Sequence, residues 1–136
     1  MPLSFKYRKE LFEGKDYFFP KIPAILHNKN FSLEVPALLD SGATGIFIPK
    51  EIAQALGLEL TKQDFAESWT GKFKVWESRV GIVIGKGSQT FRTELECNVP
   101  DKKSESEEVI FGRSFFHFFE ITFSEKERKT FLKRIL

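Results

Sequence analysis

The sequence predicts a mostly-β domain with two short helices, and three observations carry that prediction. Phe is the favoured aromatic, with 16 copies against two Trp and two Tyr, and it suits pleated, half-buried surfaces. Apolar and polar residues alternate through much of the chain, the period of a strand with one buried face. Glycine, proline and asparagine clusters interrupt these runs at short intervals, as turns between strands do. The 136 residues suffice for one domain with its own core and are too few for two comfortable ones, so residues 1–136 are read as a single unit.

The elements follow in order. PLSFKY alternates well enough to supply an edge strand or an interface strand within an N-terminal extension, residues 1–16. YFFPKIPAILHNKN is a strand broken by prolines, closing in a turn at His27 to Asn30. FSLEVPALLD returns as a second strand, with Phe31, Leu33 and Val35 alternating before a fully apolar Ala37-Leu38-Leu39. IFIP is a short buried strand. Pro49 then suits the first position of a helix and Gly57 its stop, with Ile52, Ala55 and Leu56 on one face. Two hairpins follow, turning at TGK and at GKG; GKG lacks the rest of a phosphate-loop pattern and is read as a turn. PDKKSESEE is a charged surface loop and VIFG a short strand. RSFFHFFE places Phe115, Phe118 and Phe119 at helical spacing as core, and ITFSEKERKTFLKRIL is a closing hairpin with Ile121, Phe123, Phe131 and Ile135 alternating.

Composition narrows the function. The net charge is +2 with both signs mixed along the chain, which is not the clustered cationic footprint of a nucleic-acid binder. The most basic stretch, KERKTFLKR from Lys126, is read as a solvated strand face, with an acidic partner as the other reading. Cys97 is the single cysteine, so no intrachain disulfide or cysteine-based zinc site is expected, and a buried free thiol is. His27 and His117 have no metal-ligand spacing and are read as structural, so neither metal nor cofactor is expected. No apolar run approaches a membrane span, and the N-terminus lacks the apolar core of a signal peptide. The expectation is a reduced, soluble, cytoplasmic protein without membrane or nucleic-acid partners.

One stretch stands apart. ALLDSGATGIFIP ends an apolar strand on Asp40 and follows it with the small residues Ser41, Gly42 and Ala43. A carboxylate there must be hydrogen-bonded, paired or neutralised, because burying it bare is costly. A second stretch, EEVIFGRSFF, repeats the plan of apolar strand, glycine turn and apolar continuation, with Gly112 at the turn.

These two segments together resemble the retropepsin-like, single-domain aspartic proteases. Asp40-Ser41-Gly42-Ala43 behind Leu38-Leu39 is similar to the family's D-[ST]-G-A signature, and VIFGRSFFHFFEITF to its later segment, over about Tyr17 to Ile135. The resemblance implies a closed β-barrel subunit that is half an enzyme, with a C2 homodimer presenting one Asp40 from each chain to a shared cleft. It implies Asp40 as the catalytic residue and Ser41, Gly42 and Ala43 as support of the active-site loop, with no metal. It implies a substrate-covering flap in ESWTGKFKVWE. Substrate contacts then fall to Thr44, Trp69, Gly71, Lys72, Phe73 and Ile110. Ser41 stands where Thr is commoner in the family, and Thr44 where viral members often carry an acidic residue. Three readings follow: an endopeptidase acting on an extended peptide, a catalytically inactive dimeric peptide- or protein-binding module of the same fold, and a plain turn whose Asp40 binds local backbone N–H groups.

Overall fold

The computed structural model describes residues 2–68, 71–102 and 108–136. Twelve strands are assigned among them: β1 (Leu3–Lys6), β2 (Arg8–Phe12), β3 (Lys15–Phe19), β4 (Lys21–Asn28), β5 (Phe31–Leu39), β6 (Ile46–Phe47), β7 (Lys62–Ser68), β8 (Gly71–Ile84), β9 (Phe91–Pro100), β10 (Val109–Phe111), β11 (Phe119–Ser124) and β12 (Lys129–Arg134). The helices are α1 (Lys50–Ala55) and α2 (Arg113–Phe116).

Six strands close into a barrel in the order β4-β5-β10-β6-β9-β8, with β4 pairing back onto β8, and β7 extends the sheet beyond β8. Most neighbours are antiparallel, but β10 runs parallel to β5 and β6 parallel to β9. Closure removes the sheet edges that strands otherwise expose. Alternation sorts the residues: Ala37, Leu39, Val109, Phe111, Ile46, Cys97 and Val99 point into the core. Leu38, Ile110 and Phe47 stand half-buried on the outer face.

A second sheet, β1-β12-β11, packs on the barrel with Leu132 buried and Leu3, Phe5 and Ile121 partly so. The opening alternation is thus an edge strand, as expected. The cations of the KERKTFLKR stretch are not all idle on a solvated face: Arg128 lies 3.7 Å from the Phe18 ring and Arg134 5.0 Å from that of Phe91. Thr130 and Leu132 of the same stretch are buried.

Several local expectations shift. Pro20 breaks the β3–β4 run, whereas Pro23 stays within β4 opposite Pro36. Pro49 is the N-cap of α1 rather than its first helical residue, and Gly57 stops the helix at φ 65°. Ala53, not Ala55, joins Ile52 and Leu56 on the packed face: Ala53 is buried and Ala55 exposed, so the buried stripe widens toward the other flank of the Ile52–Leu56 line. The second helix is only four residues long, and Phe119 opens β11 instead of extending it. Tertiary packing keeps the aromatic cluster regardless of that break: Phe115 and Phe119 sit 5.2 Å apart, with Phe91 4.8 Å from Phe119. In the closing hairpin Phe123 and Ile135 are exposed, and Thr130 and Leu132 take the inward positions.

The N-terminal extension contains an unforeseen element. β2 and β3 form a two-stranded ribbon paired to no other strand, turning at Glu13 and Gly14, both at positive φ. One tie to the barrel is Lys21, which is buried and pairs with Glu10 at 2.7 Å and Glu108 at 2.6 Å.

Candidate active site

The polar loop between β5 and β6 is seated by backbone alone. The Asp40 N–H donates to the Phe111 carbonyl at 3.0 Å, prolonging the β5–β10 ladder by one step. At the other side of the loop, the N–H groups of Gly112, Arg113 and Ser114 donate to the carbonyls of Gly45, Ala43 and Thr44 at 2.9, 2.9 and 3.1 Å. The start of α2 therefore grips the loop through three consecutive amides. That approach requires Gly112, since a Cβ there would run into the Gly45 and Ala43 carbonyl oxygens. The internal echo between the two glycine turns is thus a physical contact: each segment supplies hydrogen-bond partners to the other.

Asp40 is half-buried at the rim. Its Oδ1 accepts from the Gly42 N–H at 2.8 Å, and its carbonyl from the Ala43 N–H at 3.2 Å. The turn reading thus describes one oxygen of the carboxylate. A Cβ on Gly42 would sit 3.1 Å from Oδ1, so glycine there leaves the carboxylate undisturbed. Ser41, Gly42 and Thr44 are exposed and Ala43 is half-buried. Asp40 lies two residues beyond Leu38, so strand alternation carries it to the same outer face.

That face is apolar beside Asp40. Ile110 is in register with Leu38 on one side and Phe47 on the other, and the Phe73 ring lies 6.4 Å from Phe47. The β7–β8 hairpin is thereby held next to the strand that leaves the loop. Gly71 opens β8 at φ 122°, and Lys72 is exposed, its ammonium 4.0 Å from Glu67 across the hairpin. Trp69 lies outside the described residues. Trp76 is not available to cover a ligand as the hairpin's composition suggests: it packs on the core and donates from Nε1 to Asp101 at 2.8 Å.

The structure thus sets Ala43 and Thr44 in the Asp40 loop, Ile110 between Leu38 and Phe47, and Phe73 against Phe47. Leu38 and Phe47 join them unannounced. Their signal was present, as the outward members of two short apolar runs, but an unbroken apolar run does not say which residue faces out. Of the other titratable groups, Cys97 is buried behind β6, and burial pushes its thiol up to about 12 despite the nearby Arg79 charge. His27 occupies the space that Gly81 leaves by lacking a Cβ. Among the described residues no group of three or more His, Cys, Asp or Glu could hold a metal ion. No helix is long and apolar enough to cross a membrane, which says nothing of strands.

A family profile described as aspartyl protease matches residues 27–115, well over half of the chain. The chain belongs to the aspartyl protease family. The matched span contains the Asp40 loop, the β7–β8 hairpin and the Gly112 turn that grips the loop. Among solved structures, a retropepsin-like aspartic protease from Rickettsia conorii superposes with a TM-score of 0.63 at 21% identity, covering 97% of this chain and 90% of that one. EIAV protease, in complex with an inhibitor, gives 0.50 at 17% identity over 73% of this chain and 86% of its own. The retroviral protease-like domain of Ddi1 from Leishmania major gives 0.53 at 12% identity, over 87% and 94% respectively. None of the curated proteins compared with the chain matches it. At these identities the structures speak for the fold, and they agree with the closed barrel: the fold is retropepsin-like.

Proposed function

We propose that the protein is a homodimeric aspartic endopeptidase that hydrolyses extended peptides between two Asp40 carboxylates, one from each subunit. The observation that carries this reading is the placement of a single half-buried Asp40, on a loop gripped by three backbone amides, at the edge of the apolar face of Leu38, Ile110 and Phe47. One chain offers one such aspartate, so the site is complete only across a two-fold axis.

Two carboxylates held close share one proton, because both cannot ionise comfortably. The ionised one takes a proton from water as its oxygen attacks the scissile carbonyl carbon. The protonated one gives its proton to the carbonyl oxygen, forming a neutral gem-diol. Collapse breaks the C–N bond, with the amine leaving protonated and the new carboxyl group completing the hydrolysis. In this mechanism the Gly42 N–H holds Oδ1 in place and leaves the other oxygen for chemistry. Ser41 bonds across the axis to the partner loop, and Gly42 and Ala43 leave room for substrate backbone. Thr44 and Ile110 contact substrate from below, and Trp69, Gly71, Lys72 and Phe73 from the flap. The buried thiol of Cys97 is compatible with a reducing, cytoplasmic setting and takes no part.

The test is cleavage of a mixed peptide library by wild type and Asp40→Asn from about pH 4 to 7, with the dimer verified by sedimentation at the concentration used. Cuts that vanish in a variant that still dimerises support the shared dyad. A dimeric wild type that cuts nothing refutes it and leaves a peptide-binding module as the use of the same cleft.

A further inference from the structure

We propose that the N-terminal ribbon β2–β3 is an outer wall of the peptide cleft, selecting extended peptides that carry a bulky apolar side chain well away from the scissile bond. This rests on the protease reading above. The ribbon lies outside the residues that match the aspartyl protease profile, so nothing in that match assigns it a role.

Cross-strand register defines its two faces. Arg8 opposes Phe19, Glu10 opposes Tyr17 and Phe12 opposes Lys15, so Phe12, Tyr17, Phe19 and Glu10 share one face. On it, the Phe19 and Tyr17 rings stack at 6.5 Å, and Tyr17 meets Phe12 edge-on at 6.5 Å. Glu10 on this same face reaches Lys21, whose ammonium lies 5.0 Å from the Phe19 ring. Lys21 in turn opposes Leu38 in the β4–β5 ladder, and Leu38 neighbours Ile110. An aromatic strip therefore runs from the ribbon tip, through the Lys21 clamp, onto the row that flanks Asp40. At the junction the Leu39 N–H donates to the Pro20 carbonyl at 3.1 Å, fixing the ribbon's base beside the Asp40 loop.

The strip is anchored at its base and open at its end. Phe12 is 67% exposed and Tyr17 46%, while the opposite face is held through Phe18 by the Arg128 guanidinium. A two-stranded ribbon is marginal in water on its own, and the rings it leaves exposed or half-buried, each opposed on the same face by a charged residue (Phe12 by Lys15, Tyr17 by Glu10, Phe19 by Arg8), form an amphipathic surface open to a ligand. The occupant this strip fits is the substrate itself, because the strip is continuous with the face on which an extended peptide meets Asp40.

The experiment sequences the products of a random decapeptide library cut by wild type, by the double variant Phe12→Ser/Tyr17→Ser, and by Leu11→Ser. Leu11 is 71% exposed and on the opposite face, so it perturbs the ribbon but not the strip. The expected result is an unchanged preference at the scissile bond in all three, with an outer preference for bulky apolar residues that falls about tenfold in the double variant alone. A wild type that cuts but shows no outer preference overturns this inference and leaves the protease reading intact. So does an equal loss in Leu11→Ser, which would trace the effect to ribbon stability. A wild type that cuts nothing overturns both.

Discussion

Replacing Gly112 by Ala probes whether the grip of α2 on the Asp40 loop is what builds the site. The added Cβ would meet the Ala43 carbonyl oxygen at 2.5 Å and its carbon at 2.8 Å, against the 3.4 Å where ordinary contact begins. Both belong to backbone, so relief requires the loop to retreat by about 1 Å, and that retreat strains three hydrogen bonds at once. At about 1 kcal/mol net for each, with the overpacking term added, the cost comes to about 4–6 kcal/mol. For a domain of this size that is a fall in Tm on the order of 10 °C. A displacement of that size at the aspartate also removes about 100-fold in kcat/KM. Gly45→Ala, in the same loop, is the control: its Cβ would meet only the Asn98 side-chain amide, at 3.4 Å, so its stability cost stays within about 1 kcal/mol. The assays are thermal unfolding by circular dichroism and cleavage of a peptide that wild type cuts. Equal melting temperatures for Gly112→Ala and Gly45→Ala would refute the seating of the loop on α2.

Two further outcomes follow from buried groups. Burial lowers the Lys21 pKa, but hydrogen bonds and charge from Glu10 and Glu108 outweigh it, and the net shift is upward from 10.5. The stability this contributes is whole at neutral pH and fades only as pH climbs past the ordinary lysine value into the raised one. Lys21→Met should therefore lose about 2 kcal/mol near neutrality, leaving the one-third-exposed Glu108 without its lysine and Glu10 with Arg8 at 3.3 Å, and should show a weaker alkaline decline in Tm than wild type. A variant as stable as wild type in chemical denaturation would show that the clamp contributes nothing. Cys97, with its thiol pushed to about 12 by burial, should resist an aromatic disulfide reagent at about pH 8 until urea unfolds the chain. Reaction at the rate of an exposed thiol in the native protein would contradict its placement behind β6.

The primary structure by itself determined the class of the fold and singled out the aspartate loop on which the proposed function rests. Period-two alternation, glycine turns and the paired ALLDSGATG and VIFGR segments are local signals, and local signals survive without knowledge of what packs on what. They were enough to mark Asp40, Ser41, Gly42 and Ala43, both hairpins, and the stop of α1 at Gly57. Tertiary structure decided the rest, for reasons of packing that no single segment carries. Which of Leu38 and Leu39 faces the site depends on the ladder with β10, not on their shared hydrophobicity. Phe119 left the helical run because β11 must pair with β12, and Trp76 left the flap surface because Asp101 and the core claim it. The ribbon β2–β3 went unread because its exposed Leu11, Phe12 and Tyr17 look like core residues in sequence. The cross-strand register sets Phe12 and Tyr17 on one face of the ribbon and Leu11 on the other, and the Lys21 clamp joins the ribbon's Glu10 to Glu108 from a distant part of the chain.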